Sequence, residues 1–278
     1  MATLQKGILF PTELEQELFS MVKGHSSLAL LSGQEALPFT GKDIFTFDFS
    51  SDISIVAEGE AKPAGDAKID PVKMVPLKVV YGMRVNDEFV FAAEEKKVDY
   101  LKKFSEGFAK KLGAGLDKMA FHGINPATGK LSTVIGDNNF DKKITANEVE
   151  YDATKADTNI DAAVAQVESA EYRANGIAIS STMRGAIASL TANGQRKYPD
   201  FAFGGCPTTL GSMRLDANPT VSVKATDESE AKKGVDHALV GDFEDCFRWG
   251  IAKELPLEVI EYGDPDGAGD LKRNNQVY

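Results

Sequence analysis

Cysteine and histidine are scarce in this chain of 278 residues, which has two cysteines and three histidines. Cys206 and Cys246 lie far apart and lack the close pairing of a metal or redox motif, as expected of a protein in a reducing compartment. The histidines, His25, His122 and His237, are not paired with each other or with carboxylates at the spacing of metal ligands. We therefore predict no metal site.

The chain also has few basic residues relative to acidic ones, and it lacks long apolar runs. The 42 acidic and 31 basic residues give a net charge of −11, so the surface as a whole repels phosphate backbones and disfavours sequence-specific nucleic-acid binding. No run approaches the ~18–20 apolar residues that span a bilayer, and Met1–Lys6 lacks the apolar segment of a secretory signal. We expect a folded cytoplasmic protein without membrane contacts.

Motifs for catalysis and cofactor binding are missing as well. The segment Gly123–Ser132 resembles a phosphate-binding loop, but five residues separate its glycines, Leu131 follows Lys130, and the preceding element is a predicted helix. No serine lies in a Gly-x-Ser-x-Gly turn, and neither cysteine has a catalytic signature. We predict no catalytic residues, no cofactor and no enzymatic activity.

What the first half does contain is a pair of alternating segments. Apolar and polar residues alternate from Phe45 to Ile55 and again from Val75 to Val85, which predicts two strands with one buried face each. Between them, residues 58–71 mix both charge signs with glycine and proline, as is typical of an exposed loop. The pattern predicts a long hairpin with a charged tip.

A long amphipathic helix follows the hairpin. Over Val98–Phe121 an apolar residue recurs every three or four positions, and the charged residues, Asp117 among them, fall largely away from that stripe. Gly107, Gly113 and Gly115 each lower the stability of a helix interior. Because glycine has no Cβ, we infer that another backbone, part of a sheet, packs closely against the helix at these positions.

The remaining segments predict a mixed α/β second half. Capping residues and apolar spacing predict helices over residues 12–23, 157–174 and 182–190, and short apolar runs predict strands at 177–179, 221–223, 238–240 and 257–260. No internal repeat is present.

Several short motifs occur in an order that is found in one known family. They are Phe10-Pro11, Ala57-Glu58-Gly59, Val85-Asn86-Asp87-Glu88-Phe89, Leu116-Asp117-Lys118-Met119-Ala120-Phe121-His122-Gly123, Ser180-Ser181-Thr182, Leu210-Gly211, Val240-Gly241-Asp242-Phe243 and Asp270-Leu271-Lys272-Arg273-Asn274-Asn275-Gln276-Val277. In this order the chain resembles, over nearly its whole length, the major capsid proteins of tailed bacteriophages with the Hong Kong 97-type fold.

The resemblance implies an α+β fold with four parts. Residues 1–32 would form an N-terminal arm and first helix, and residues 40–90 an extended β-hairpin loop. Residues 91–155 with 256–278 would form a peripheral domain around a long spine helix, and residues 156–255 an axial α/β domain, whose loops, such as 198–209, meet at the centre of hexamers and pentamers.

The resemblance also implies the function. The chain would self-assemble through hexamers and pentamers into an icosahedral shell around phage DNA, first in the host cytoplasm and finally as the virion capsid. Because the arm begins almost at Met1, the chain is expected to be either a processed form or one that is assisted by a separate scaffolding protein. A portal is the other expected partner. Expected intersubunit contacts are Phe10, Glu58, Lys62, Asp66 and Lys68. An encapsulin-like compartment and a soluble α/β enzyme are the alternatives.

Overall fold

The computed structural model describes residues 22, 25–49, 54–61, 67–88, 94–144, 147–226, 236–252 and 260–278. Its α-helices are α1 (Ser27–Leu31), α2 (Glu94–His122), α3 (Phe140–Lys143), α4 (Ala156–Ser169) and α5 (Ser181–Ser189), and 3-10 turns cover Ala153–Lys155, Pro199–Gly204 and Pro219–Val221. Within these ranges, no helix combines the length and the apolar character needed to cross a membrane.

The strands form one four-stranded sheet and several two-stranded ribbons. They are β1 (Gly33–Ala36), β2 (Lys42–Phe49), β3 (Ala67–Met74), β4 (Val85–Asn86), β5 (Gly176–Ile179), β6 (Thr191–Ala192), β7 (Gln195–Arg196), β8 (Thr209–Leu210), β9 (Met213–Ala217), β10 (Ala238–Gly241), β11 (Arg248–Ile251) and β12 (Gln276–Val277). The predicted helix at 12–23 and the predicted strand at 257–260 lie almost entirely outside the described residues.

The four-stranded sheet holds the main apolar core. Its order is β10-β5-β9-β8, with β5 parallel to β9 and antiparallel to β10. All four residues of β5 are buried, as is usual for a central strand that is covered on both faces. Ile160 of α4 and Met183 and Ile187 of α5 belong to the same buried cluster. The predicted strands at 177–179 and 238–240 are confirmed here.

Helix α5 begins where the sequence predicts. Ser180 is fully buried, and its side-chain oxygen accepts a hydrogen bond from the backbone N–H of Met183 at 3.1 Å. This is the N-cap contact that satisfies a donor left free by the first helical turn.

We expect Ser180→Ala to lower the free energy of unfolding by about 1 kcal/mol, the usual effect of losing an N-cap. Chemical denaturation monitored by circular dichroism measures this change. Ser181→Ala, one position along and exposed, is the matched control and should leave the stability unchanged. An equal loss in both variants would contradict the capping role.

Two predictions in the second half are wrong in part. Helix α4 ends at Ser169 rather than Ala174, because Glu171 adopts the left-handed conformation at φ 63°. The predicted strand at 221–223 is absent: Val221 ends a 3-10 turn, Pro219–Val221, in which the backbone N–H of Thr220 donates to the Asn218 side chain. Proline at the first position favours such a turn and removes a donor that a strand would use.

The long helix is confirmed, and its bounds exceed the predicted ones by a few residues at the N-terminal end. The apolar stripe is only half-buried in the described part of the helix. The buried positions that recur every four residues are Ser105, Ala109, Gly113, Asp117 and Phe121. The prediction that Asp117 faces away from the packed side is therefore wrong.

Only one of the three glycines in α2 has the predicted close backbone contact. A Cβ on Gly113 would lie 2.9 Å from the His25 Cβ and 3.0 Å from the Val22 carbonyl oxygen. The approaching chain is thus the segment before α1 and not a sheet. A Cβ on Gly107 would meet nothing within 4 Å, and one on Gly115 would meet the Pro126 ring.

The chain divides into two compact units. The main unit comprises Met1–Gln34, Gly82–Trp249 and Pro256–Tyr278, and includes the sheet and the five helices. The hairpin unit comprises Glu35–Tyr81 and Gly250–Leu255, and includes β2 and β3.

Candidate intersubunit surface

The hairpin unit is built on one antiparallel pair of eight-residue strands. β2 pairs with β3 along their whole length, from Lys42 opposite Met74 to Phe49 opposite Ala67. The predicted hairpin is therefore present, but the predicted return strand at 75–85 is wrong, because the strand that pairs with β2, Ala67–Met74, begins within the predicted loop at 58–71 and ends before residue 75. Pro71 fits within β3, since both strands of a two-stranded ribbon are edges.

Few side chains of the hairpin unit are known to be buried: Leu37 is, at 8% exposure, and the burial of the strand side chains at 45–49 and 70–73 is not described. Among the described side chains from 38 to 81, none is buried, and large apolar side chains are exposed instead. These are Phe39, Ile55, Val56, Ile69, Val75, Leu77, Val79, Val80 and Tyr81. A lone two-stranded hairpin is marginally stable in water, and exposed apolar patches mark sites of association.

The densest part of this surface is residues 75–81, which we call the apolar ribbon. It has no regular secondary structure, and five of its seven residues are exposed apolar side chains, with Val80 at 73% and Val75 at 53% of full exposure. The alternating pattern that predicted a strand here in fact marks a surface. The sequence shows the apolar residues but not what covers them.

The five predicted contact residues are spread over different parts of the chain. Glu58 lies in an exposed turn, as predicted for the tip. Lys68 is exposed on β3, opposite Asp48, rather than in a loop. Phe10, Lys62 and Asp66 lie outside the described residues. The apolar ribbon is the part of this surface that sequence reasoning missed.

Arg84, which lies where the chain returns from the hairpin unit to the main unit, binds the C-terminal segment 264–276. Its guanidinium donates to both carboxylate oxygens of Asp266, to Asp264 Oδ1 at 3.0 Å, to Gln276 Oε1 at 3.1 Å and to the Gly269 carbonyl at 2.7 Å. The same contact holds the pKa of the Asp266 carboxyl below its ordinary value. The planar guanidinium, with five N–H donors, can bind these five acceptor atoms of four residues at once.

We expect Arg84→Lys to loosen this segment while the core sheet stays folded, because an ammonium cannot reproduce the forked geometry. Amide hydrogen exchange at Leu271 and Gln276, whose N–H groups bond within the segment, should become severalfold faster. Arg214→Lys, an exposed position on β9, is the control and should change nothing. Unchanged exchange in the Arg84 variant would contradict the anchoring role.

Asp117 joins three segments that are distant in sequence. The carboxylate is fully buried and accepts hydrogen bonds from Ser26 Oγ at 2.6 Å, Ser27 N at 2.9 Å, Leu28 N at 3.2 Å and Thr220 Oγ1 at 2.6 Å. Burial raises the pKa of the Asp117 carboxyl, and the four hydrogen bonds oppose that effect. Asp117 thus connects α2 with the start of α1 and with the turn at Thr220.

His122, five residues further on, is bound to the same turn. Its Nε2 lies 3.1 Å from the Thr220 carbonyl oxygen and its Nδ1 lies 2.9 Å from Asp141 Oδ2. Burial opposes a charge on the ring, but the hydrogen bond and charge of Asp141 raise the pKa of His122 above its ordinary value. The prediction that no histidine pairs with a carboxylate is therefore wrong for His122, because the partners are far away in sequence.

Solved structures of phage proteins share this architecture. A chain from Mycobacterium phage Ogopogo is 30% identical, with a TM-score of 0.74, and the match covers 99% of this chain and 87% of that one. A chain from Gordonia phage Cozz is 22% identical, with a TM-score of 0.66, over 100% of this chain and 81% of that one. No protein-family model and no curated protein matches the sequence.

A particle structure shares the fold as well. A chain from the "Capsid of native GTA particle computed with C5 symmetry" is 14% identical, with a TM-score of 0.55, and the match covers 100% of this chain and 86% of that one. Identity of 30% over almost the whole chain shows common family membership. The chain belongs to the phage major capsid proteins.

Membership of this family confirms the expected class of function. The chain is a structural shell protein of the virion capsid, it associates with copies of itself, and it is not an enzyme. The mixed α+β architecture agrees with the expected fold class at that level. The soluble α/β enzyme is the alternative that these findings disfavour.

Proposed function

We propose that this chain forms an icosahedral shell of the Hong Kong 97 type, in which hexamers and pentamers of the subunit enclose phage DNA. The observation that supports this most directly is the apolar ribbon of the hairpin unit, in which five of seven residues are exposed apolar side chains. Such a surface becomes stable when a neighbouring copy covers it.

The four-part division of that fold supplies a role for each segment. In this proposal, residues 40–90 are the extended loop, residues 91–155 with 256–278 are the peripheral domain around α2, and residues 156–255 are the axial domain. Residues 1–32 are the arm. The two-strand hairpin, the 29-residue helix and the mixed sheet occur in the chain order that this division requires.

The contacts and partners follow from the same proposal. Phe10, Glu58, Lys62, Asp66 and Lys68 lie at contacts between subunits. Assembly takes place in the host cytoplasm with a scaffolding protein and a portal. The net charge of −11 favours packaging of DNA without tight binding to its phosphates.

Electron microscopy of the purified full-length chain, with its scaffolding protein where one is needed, tests the proposal. We expect closed shells built from six-fold and five-fold capsomers. A persistent monomer under those conditions, or a shell with a different subunit arrangement, would overturn it. Co-purification of one dominant cargo enzyme inside the shell would instead support the encapsulin-like alternative.

A further inference from the structure

Three side chains that can bind a metal ion meet at the C-terminal end of α2. They are His122, Asp141 and Asp236, and one ligand atom from each lies within 4.8 Å of the other two. His122 Nδ1 is 2.9 Å from Asp141 Oδ2 and 3.9 Å from Asp236 Oδ2. The three residues come from the last position of α2, the second position of α3 and the segment just before β10. Their separation in sequence explains why spacing could not reveal them.

The histidine in this cluster is held in one orientation. Its side chain is 3% exposed, and its Nε2 lies 3.1 Å from the Thr220 carbonyl oxygen, which can only accept. We therefore assign a proton to Nε2, which leaves the Nδ1 position facing the two carboxylates. A bare nitrogen lone pair and a carboxylate oxygen repel each other at 2.9 Å, so a proton or a metal ion must lie between them.

We propose that His122 Nδ1, Asp141 and Asp236 form a zinc site in the main unit, with water completing the coordination. Tetrahedral Zn²⁺ with bonds of ~2.0–2.1 Å places neighbouring ligand atoms about 3.3 Å apart. The separations of His122 Nδ1 from the two carboxylates, 2.9 Å and 3.9 Å, lie on either side of that value, and all three ligand atoms lie within 4.8 Å of one another.

The chemistry of the cluster favours zinc over the commoner hard cations. Imidazole nitrogen is a good ligand for Zn²⁺, whereas Mg²⁺ prefers oxygen ligands in a near-ideal octahedron. Metal-bound histidines usually donate their second N–H to a carbonyl or a carboxylate, as His122 does to Thr220. The two carboxylates carry a total charge of about −2 and the imidazole is neutral, so one divalent cation balances the charge of the site.

A bound ion would join three separate elements of the main unit at one point. Because the site is formed by the fold and is absent from the unfolded chain, zinc would stabilise the folded state by mass action. This inference concerns the main unit by itself and does not depend on the proposed shell geometry.

The test uses the full-length chain, without an affinity tag, after treatment with a chelator and dialysis. Cys206→Ser and Cys246→Ser are included in every sample, because both thiols are exposed and could bind zinc by themselves. Calorimetric titration with ZnCl₂ should give one ion per chain, and the melting temperature should rise with zinc concentration but not with the same concentration of MgCl₂.

Asp236→Asn is the informative variant, because this side chain is 47% exposed and asparagine has nearly the same shape; circular dichroism checks that the variant is folded. We expect it to weaken zinc binding by at least about tenfold, as loss of one ligand would. Asp245→Asn, with a side chain that is 83% exposed, changes the charge equally and should bind zinc as the parent does.

Three results would overturn the proposal. One is the absence of zinc binding to the folded parent chain. Another is equal binding by the parent and by Asp236→Asn. The third is an equal rise in melting temperature with magnesium, which would show that the stabilisation does not select zinc.

Discussion

Val80→Asp should abolish assembly of the shell while leaving the monomer folded. Val80 lies in the apolar ribbon and is 73% exposed, so the fold gains little from it. Once a neighbouring subunit covers the ribbon, the same position would have to bury an unpaired carboxylate. Replacing the buried valine by an unpaired carboxylate weakens each contact between subunits by about 2 kcal/mol or more, and the particle contains many such contacts.

Val134→Asp is the matched control. Val134 lies in the main unit, is 80% exposed and undergoes the same change of side chain. Sedimentation velocity and electron microscopy should show shells for this variant and free subunits for Val80→Asp, while circular dichroism shows both to be folded. Normal assembly of Val80→Asp would show that the ribbon is not an intersubunit surface.

Asp117→Ala should cause the largest loss of stability among the substitutions considered for the main unit. The change leaves two buried hydroxyls and two backbone N–H groups without their acceptor, each of which costs about 1–3 kcal/mol when unsatisfied. Since partial relaxation recovers some of this, we expect a loss of about 3 kcal/mol or more, equivalent to a fall of roughly 6–12 °C in the melting temperature.

Asp117→Asn separates the charge of this residue from its acceptor role. The amide keeps one acceptor oxygen and removes the buried charge whose desolvation raises the pKa of the carboxyl, so it should lose less stability than alanine does. Calorimetry on both variants, with exposed Asp245→Ala as the control, measures the difference. A change of less than about 1 kcal/mol in Asp117→Ala would contradict the bridging role.

The parts of the fold that the sequence predicts well depend on local signals. The long helix has a regular apolar period over more than twenty residues, and α5 has a serine at its N-cap, so both are placed within a few residues of their observed bounds. Strand β5 is a short buried run that lies directly before that cap. In each case the deciding contacts lie within a few residues along the chain.

The parts that it predicts poorly depend on distant partners. Two segments compete to pair with β2, and the alternating pattern favours residues 75–85, although the observed register selects β3. The role of Asp117 depends on Ser26 and Thr220, which are 91 and 103 residues away. A charged residue whose partners are that remote resembles any other surface carboxylate in the sequence.

The exposure of the apolar ribbon has a consequence for subunits that have not yet assembled. Since every side chain from 38 to 81 whose burial is described is at least partly exposed, we expect contacts with neighbouring subunits to supply much of the free energy that orders this segment, so that its order depends on subunit concentration. Proteases should cleave this segment in dilute subunits and spare it in particles. We therefore expect this segment to become fully ordered only when neighbouring subunits cover it. Subunits that fail to assemble would then be the ones that proteases remove.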